Sequence, residues 1–155
     1  MSISAKDIKE LRDQTGAGII DCKKALTEAK GDFKKATEIV RQKGLARAEK
    51  KQDRETTAGY IASYVHADSQ KAALVEIDCE TDFVARNAEF QTMARDVAMQ
   101  VVAMEPQDVK ELLHQEFIKN PSITIESLVK ELSGKIGEKF VVARFVRYEV
   151  GKQKE

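Results

Sequence analysis

Tyr60-Ile61-Ala62-Ser63-Tyr64-Val65, then Ala67-Asp68-Ser69-Gln70, then Ala72-Ala73-Leu74-Val75-Glu76-Ile77: over this stretch the chain changes its period. Upstream, apolar residues recur at helical spacing. Here β-branched and aromatic residues gather in two runs around a polar turn. That pattern predicts an antiparallel hairpin over residues 59–79 with a loop of four or five residues. Downstream, Phe90, Ala94, Val97 and Val101 form one stripe of a helix running from about Asn87 to Met104, which Pro106 stops. Residues 107–119 read as a shorter helix carrying Val109, Leu112, Leu113 and Phe117. Another starts near Thr124 and turns Ile125, Leu128, Val129, Leu132 and Ile136 inward. Phe140 to Val150 is strand-like, with imperfect alternation: Arg144 shares a face with Val142 and Val146, while Phe145 lies opposite. Either a bulge resets the register or both faces are partly covered, and the second would suit a sheet that meets another subunit. The expectation for residues 58–155 is an α+β domain, an antiparallel three-stranded sheet packed with helices.

Residues 1–44 read as three short helices. Ser4 is an N-cap with Asp7 at the third helical position, and Ile3 can staple onto Ile8. Thr15-Gly16-Ala17-Gly18 breaks the first helix. The second places Ile19, Cys22, Leu26 and Ala29 at helical spacing and ends at Gly31. Asp32 caps the third, whose face is Phe33, Ala36 and Val40 and whose expected stop is Gly44. Residues 45–57, charged and free of Gly and Pro, are expected to be a helical linker to the second domain. A three-helix unit of this size buries little surface, which fits a recognition head.

Composition narrows the function. The chain is 42% hydrophobic and 34% charged, as in soluble folded proteins. No apolar run nears the ~20 residues that span a bilayer, and the N-terminus has neither signal-peptide nor transit-peptide character. The expected compartment is the cytoplasm, without membrane contact. Net charge is zero but unevenly spread: residues 1–54 carry 14 Lys/Arg against 9 Asp/Glu, and residues 55–155 carry 12 against 17. The basic head admits a nucleic-acid binder, yet the chain lacks the interleaved aromatics of single-strand binders, and the acidic domain would repel phosphate. Cys22 and Cys79 share no metal-ligand spacing with each other or with His66 and His114, and read as buried small hydrophobes.

No catalytic constellation, metal set or cofactor motif emerges, so the chain is not expected to be an enzyme. Gly16-Ala17-Gly18 follows a helix and lacks the Lys-Ser/Thr of a phosphate loop. Glu76, Asp78, Glu80 and Asp82 alternate along a strand like carboxylates on one solvated face. A small enzyme using them would still lack a base and a nucleophile. The informative segment is Cys79-Glu80-Thr81-Asp82-Phe83-Val84-Ala85-Arg86-Asn87, which sets an aromatic beside an acid at a strand–helix corner. Elementary packing favours Phe83 inward as a core anchor, with Asp82 capping the helix.

A resemblance reverses that preference. Leu11-Arg12-Asp13-Gln14-Thr15-Gly16-Ala17-Gly18-Ile19-Ile20-Asp21-Cys22-Lys23-Lys24-Ala25-Leu26 closely resembles the opening signature of the elongation factor Ts family, and residues 79–87 resemble its second signature. Gly31-Asp32, Tyr64-Val65-His66 and Lys135-Ile136-Gly137-Glu138 are similar to the same family. The matches keep their order and span almost the whole chain. The resemblance implies a nucleotide exchange factor for the GTPase elongation factor Tu, with a head similar to ubiquitin-associated domains. It implies that Arg12, Ile19, Ile20 and Lys23 grip the GTPase, that Asp82 and Phe83 enter near its magnesium and phosphate site, and that Thr81 and Val84 beside them also contact the partner. His66 resembles a contact position on the sheet domain. Longer members carry two core units and a coiled-coil insertion that this chain lacks, which implies a homodimer formed through the sheet, with Phe140–Val150 a candidate interface.

Overall fold

The computed structural model describes residues 3–152. Three helices open the chain: α1 (Ala5–Thr15), α2 (Ile19–Glu28) and α3 (Phe33–Glu49). At the start of α1 the Ser4 hydroxyl accepts from the Asp7 amide and the Asp7 carboxylate accepts from the Ser4 amide. This capping box satisfies two amides that the helix cannot. Gly16 ends α1 at φ 66, a conformation glycine adopts without steric cost. Leu11, Cys22, Ala25, Leu26 and Ala36 close between the three helices as a small core, flanked by Ile3, Ile8 and Phe33.

Gly44 does not stop α3, contrary to the expectation from sequence; the helix runs through it to Glu49. The cause is tertiary. α3 crosses α7 (Ile125–Ile136) so closely that a methyl group on Gly134 would run into the backbone of Gly44, meeting its carbonyl carbon at 2.6 Å and its Cα at 2.7 Å. Arg41 reaches Glu131 at 3.1 Å beside that crossing. Packing against α7 therefore carries the helix past a residue with poor helical propensity.

The main sheet has the order β1 (Ala58–Val65), β2 (Lys71–Cys79), β5 (Val141–Glu149), antiparallel throughout. The β1–β2 loop is residues 66–70. A bulge at Ala143 resets the register: Glu76 faces Arg144, whereas Ile77 faces Val142. Val142 and Phe145 then turn toward the helices, and Arg144, Val146 and Tyr148 fall on the opposite face. The uneven alternation of the last strand thus has a local cause. α5 (Ala88–Met104), α6 (Val109–His114) and α7 contribute the helical side of a core that includes Val75, Ile77, Phe90, Val97, Val101, Leu112 and Ile125.

Phe117 is not on the helix expected over residues 107–119. α6 ends at His114, and Phe117 lies in a two-stranded ribbon of β3 (Glu116–Phe117) and β4 (Asn120–Thr124). The fully buried Gln100 fastens that ribbon to α5: its Nε2 donates to the Glu116 carbonyl at 3.0 Å and its Oε1 accepts from the Ile118 amide at 3.0 Å. Cys22 and Cys79 are buried and free. No helix among the described residues is long and apolar enough to cross a membrane.

Candidate partner-binding surface

Where β2 ends, the chain makes one short helical turn, α4 (Asp82–Ala85), before α5 begins. Thr81 caps it, its hydroxyl accepting from the Val84 amide at 3.3 Å. Val84 and Ala85 are buried in the main core. With about 100° between successive residues, a turn that commits two neighbours inward must send the preceding pair outward. Asp82 is exposed and the Phe83 side chain is 84% exposed. The corner aromatic therefore does not anchor the core, because Val84 and Ala85 already do.

The exposure does not come from a loose backbone. The Cys79 thiol donates to the Thr81 carbonyl at 3.3 Å, and Asn87 caps α5 through the Phe90 amide at 3.1 Å. The fully buried Phe90 ring packs edge-on against Phe140, 4.8 Å between centroids. A fixed scaffold holds an apolar ring in water. Burying such a ring elsewhere is worth about 1.5–3 kcal/mol.

The head presents a second display. Ile19 and Ile20 occupy the first turn of α2 and are 56% and 70% exposed. Ile19 therefore does not join Cys22 and Leu26 on the buried face. Arg12 is exposed on α1 and Lys23 on α2 itself. Lys135, at the end of α7, lies against Gly16 of the α1–α2 turn and pairs with Glu89 of α5 at 2.7 Å. It links the head's turn to the element that follows the Phe83 corner.

Two of the expected contact residues stand apart. Val84 is buried, so its side chain anchors the corner. His66 begins the β1–β2 loop, its ring 3.2 Å from the Tyr64 hydroxyl. Ala58, at the other end of β1, pairs with Cys79 next to the corner, so the strand's length puts His66 about 23 Å from it.

The alternating carboxylates do not converge. Glu76 pairs with Arg144 at 2.6 Å and Glu80 with Arg54 at 3.3 Å, while burial and then Glu76 push Asp78 above its ordinary range. No metal-binding cluster of His, Cys, Asp or Glu occurs among the described residues. Sequence reasoning gave no role to Glu138, whose carboxylate touches the corner from far along the chain. Nothing in spacing or periodicity signals that contact.

Exposed apolar side chains on fastened backbone are the kind of feature that docking surfaces present. Residues 80–155 match the family model described as Elongation factor TS. Relatives named elongation factor Ts include that of Synechococcus sp. (strain RCC307), 44% identical over 96% of this chain and 90% of the relative. That of Thermodesulfovibrio yellowstonii is 40% identical over the whole of both chains. That of Aquifex aeolicus is 47% identical over 96% of this chain, which spans 53% of that relative. The chain belongs to the elongation factor Ts family. The Thermodesulfovibrio alignment runs to 199 positions against 155 residues, so 44 of them face no residue of this chain.

Proposed function

We propose that the chain is a guanine nucleotide exchange factor for elongation factor Tu in translation elongation, and that it acts by inserting Asp82 and Phe83 near the magnesium and phosphate site. The observation that carries this reading is the Phe83 ring, exposed at a corner whose backbone is fixed on both sides. The proposed division of labour assigns residues 1–44 to gripping the GTPase through Arg12, Ile19, Ile20 and Lys23. Residues 45–57 connect, and residues 58–155 carry the wedge, capped by Thr81 and anchored by Val84. Magnesium and β-phosphate binding depend on near-ideal coordination, so small displacements there weaken the nucleotide. An aromatic ring entering an apolar slot supplies binding energy, and the adjacent carboxylate disturbs the polar shell around the metal. Linkage requires the nucleotide to weaken the factor's grip by the same ratio, so incoming GTP helps displace it. The role needs no covalent chemistry, cofactor, nucleic acid or membrane, and its compartment is the cytoplasm. The test is release of labelled GDP from elongation factor Tu with and without the chain. Acceleration is expected, and an unchanged rate would refute the reading.

The chain also acts as a homodimer in this proposal. The sheet face away from the helices carries Val65, Ala72 and Tyr148 in one row and Ser63, Leu74 and Val146 in the next, with Ile61 beyond. Ile61, Val65, Leu74 and Tyr148 are exposed, and β1 and β5 are both edge strands. A contiguous apolar face flanked by the Glu76–Arg144 pair suits a second copy of itself. His66 adjoins this end of the sheet, which gives it a place near the dimer contact. Sedimentation at several concentrations should show one species of twice 17.3 kDa; a monomer throughout would exclude the dimer.

A further inference from the structure

We propose that Glu138 is the positioning residue that sets the aim of the Asp82–Phe83 corner, a role that rests on the exchange reading above. Glu138 follows Gly137, which ends α7 at φ 94. Its Oε1 accepts from the Glu80 amide at 3.0 Å and the Thr81 amide at 3.1 Å, and its Oε2 accepts from the Thr81 hydroxyl at 2.7 Å. One carboxylate thus takes three donors from the two residues that precede α4. Hydrogen bonds to an ionised acceptor are the short, strong class. The Thr81 hydroxyl in turn accepts from Val84, so the connection runs from carboxylate through hydroxyl into the turn that bears Phe83. Glu138 is itself held, its carbonyl accepting from the Ser133 hydroxyl at 2.6 Å.

The same turn fastens the connection from the head. Arg54 donates to the Gly137 carbonyl at 3.3 Å and to Glu80 at 3.3 Å. The Lys139 ammonium donates to the carbonyls of Gln52 and Arg54, and the Lys139 amide donates to Glu80 at 2.7 Å. Residues 137–139 therefore hold both the wedge and the segment leading from the gripping surface. Of these three residues, Glu138 is the one that bonds Thr81, the cap of α4. Without its carboxylate the amides of Glu80 and Thr81 lose their acceptor, and the turn that carries Phe83 loses the restraint on its cap. Even in chemical steps, a misplacement of about 1 Å can cost up to about a hundredfold in rate.

The experiment compares full-length Glu138→Ala, Glu138→Gln and Phe83→Ala in GDP release from elongation factor Tu, titrated to saturation. Amide hydrogen exchange is measured on the free proteins. Glu138→Ala should lower the maximal rate about tenfold and leave the half-saturating concentration within about twofold, since the head is untouched. Glu138→Gln keeps an oxygen for both amides and can donate to the Thr81 hydroxyl, so it should recover most of the rate. Faster exchange in Glu138→Ala should be confined to residues 80–84. A wild-type rate in Glu138→Ala alongside a loss in Phe83→Ala overturns the role of Glu138 alone. Equal losses in both Glu138 variants, with protection lost throughout the sheet, overturn positioning and mark a structural residue. A wild-type rate in Phe83→Ala overturns the exchange mechanism itself.

Discussion

Gly134→Ala and Gly44→Ala are the same substitution on two helices that touch, and the structure predicts opposite outcomes. A methyl group on Gly44 meets only the Glu131 carbonyl at 3.8 Å, an ordinary contact. It should gain the usual helical advantage of alanine over glycine, about 0.8–1 kcal/mol. On Gly134 the methyl meets the Gly44 carbonyl carbon at 2.6 Å and Cα at 2.7 Å, with the carbonyl oxygen nearer still. These are backbone atoms of a helix and have no rotamer to change. The crossing must open by about 1 Å, loosening the close-packed α3–α7 interface, at a cost near the upper end of overpacking, about 3 kcal/mol. Subtracting about 1 kcal/mol of propensity leaves a net loss of about 2 kcal/mol. For a chain of this size that lowers Tm by roughly 4–8 °C, against a rise of about 2–4 °C for Gly44→Ala. Thermal and urea melts followed by circular dichroism measure both. A Gly134→Ala variant as stable as wild type, or two variants that shift together, would refute the close crossing.

Two further outcomes follow from side-chain chemistry. Arg41 and then Gln42 hold the Glu38 carboxyl down at about 2. Its folded value lies below the ordinary 4.5, so its stabilisation is complete above pH 4.5 and is lost as pH falls toward 2. Glu38→Gln should flatten that acid limb in melts taken across the range; because Glu38 is exposed, the neutral-pH change should stay under about 1 kcal/mol. Burial, and then Glu138, push the Cys79 thiol up to about 11. With the thiolate rare at pH 8 and the residue inaccessible, iodoacetamide should label neither Cys79 nor the buried Cys22 in the native protein and both in denaturant, as read by mass spectrometry.

The hairpin was legible because β-branched and aromatic residues flank a polar loop, and the Ser4 and Asp32 caps because their chemistry is local. Gly44 was misread because passing or stopping is decided by α7, about ninety residues later. The β3–β4 ribbon was missed for a similar reason: Phe117 falls at helical spacing from Leu113, and the buried Gln100 that fixes the ribbon has no periodic signature. At the corner, packing alone favoured an inward Phe83. The one-turn α4 gives both inward places to Val84 and Ala85, and the carboxylate that touches its cap comes from Glu138, 57 residues further along the chain. The family signatures pointed to this segment, and the fold supplies the reason that its ring faces water.

The central claim is that the exposed ring at residue 83 acts on the partner and not on its own fold. Phe83→Ala removes a side chain with almost no internal contacts, so its Tm should stay within about 1 °C of wild type. Its maximal acceleration of GDP release from elongation factor Tu should nevertheless fall at least tenfold. A folded Phe83→Ala protein that released GDP at the wild-type rate would contradict the account.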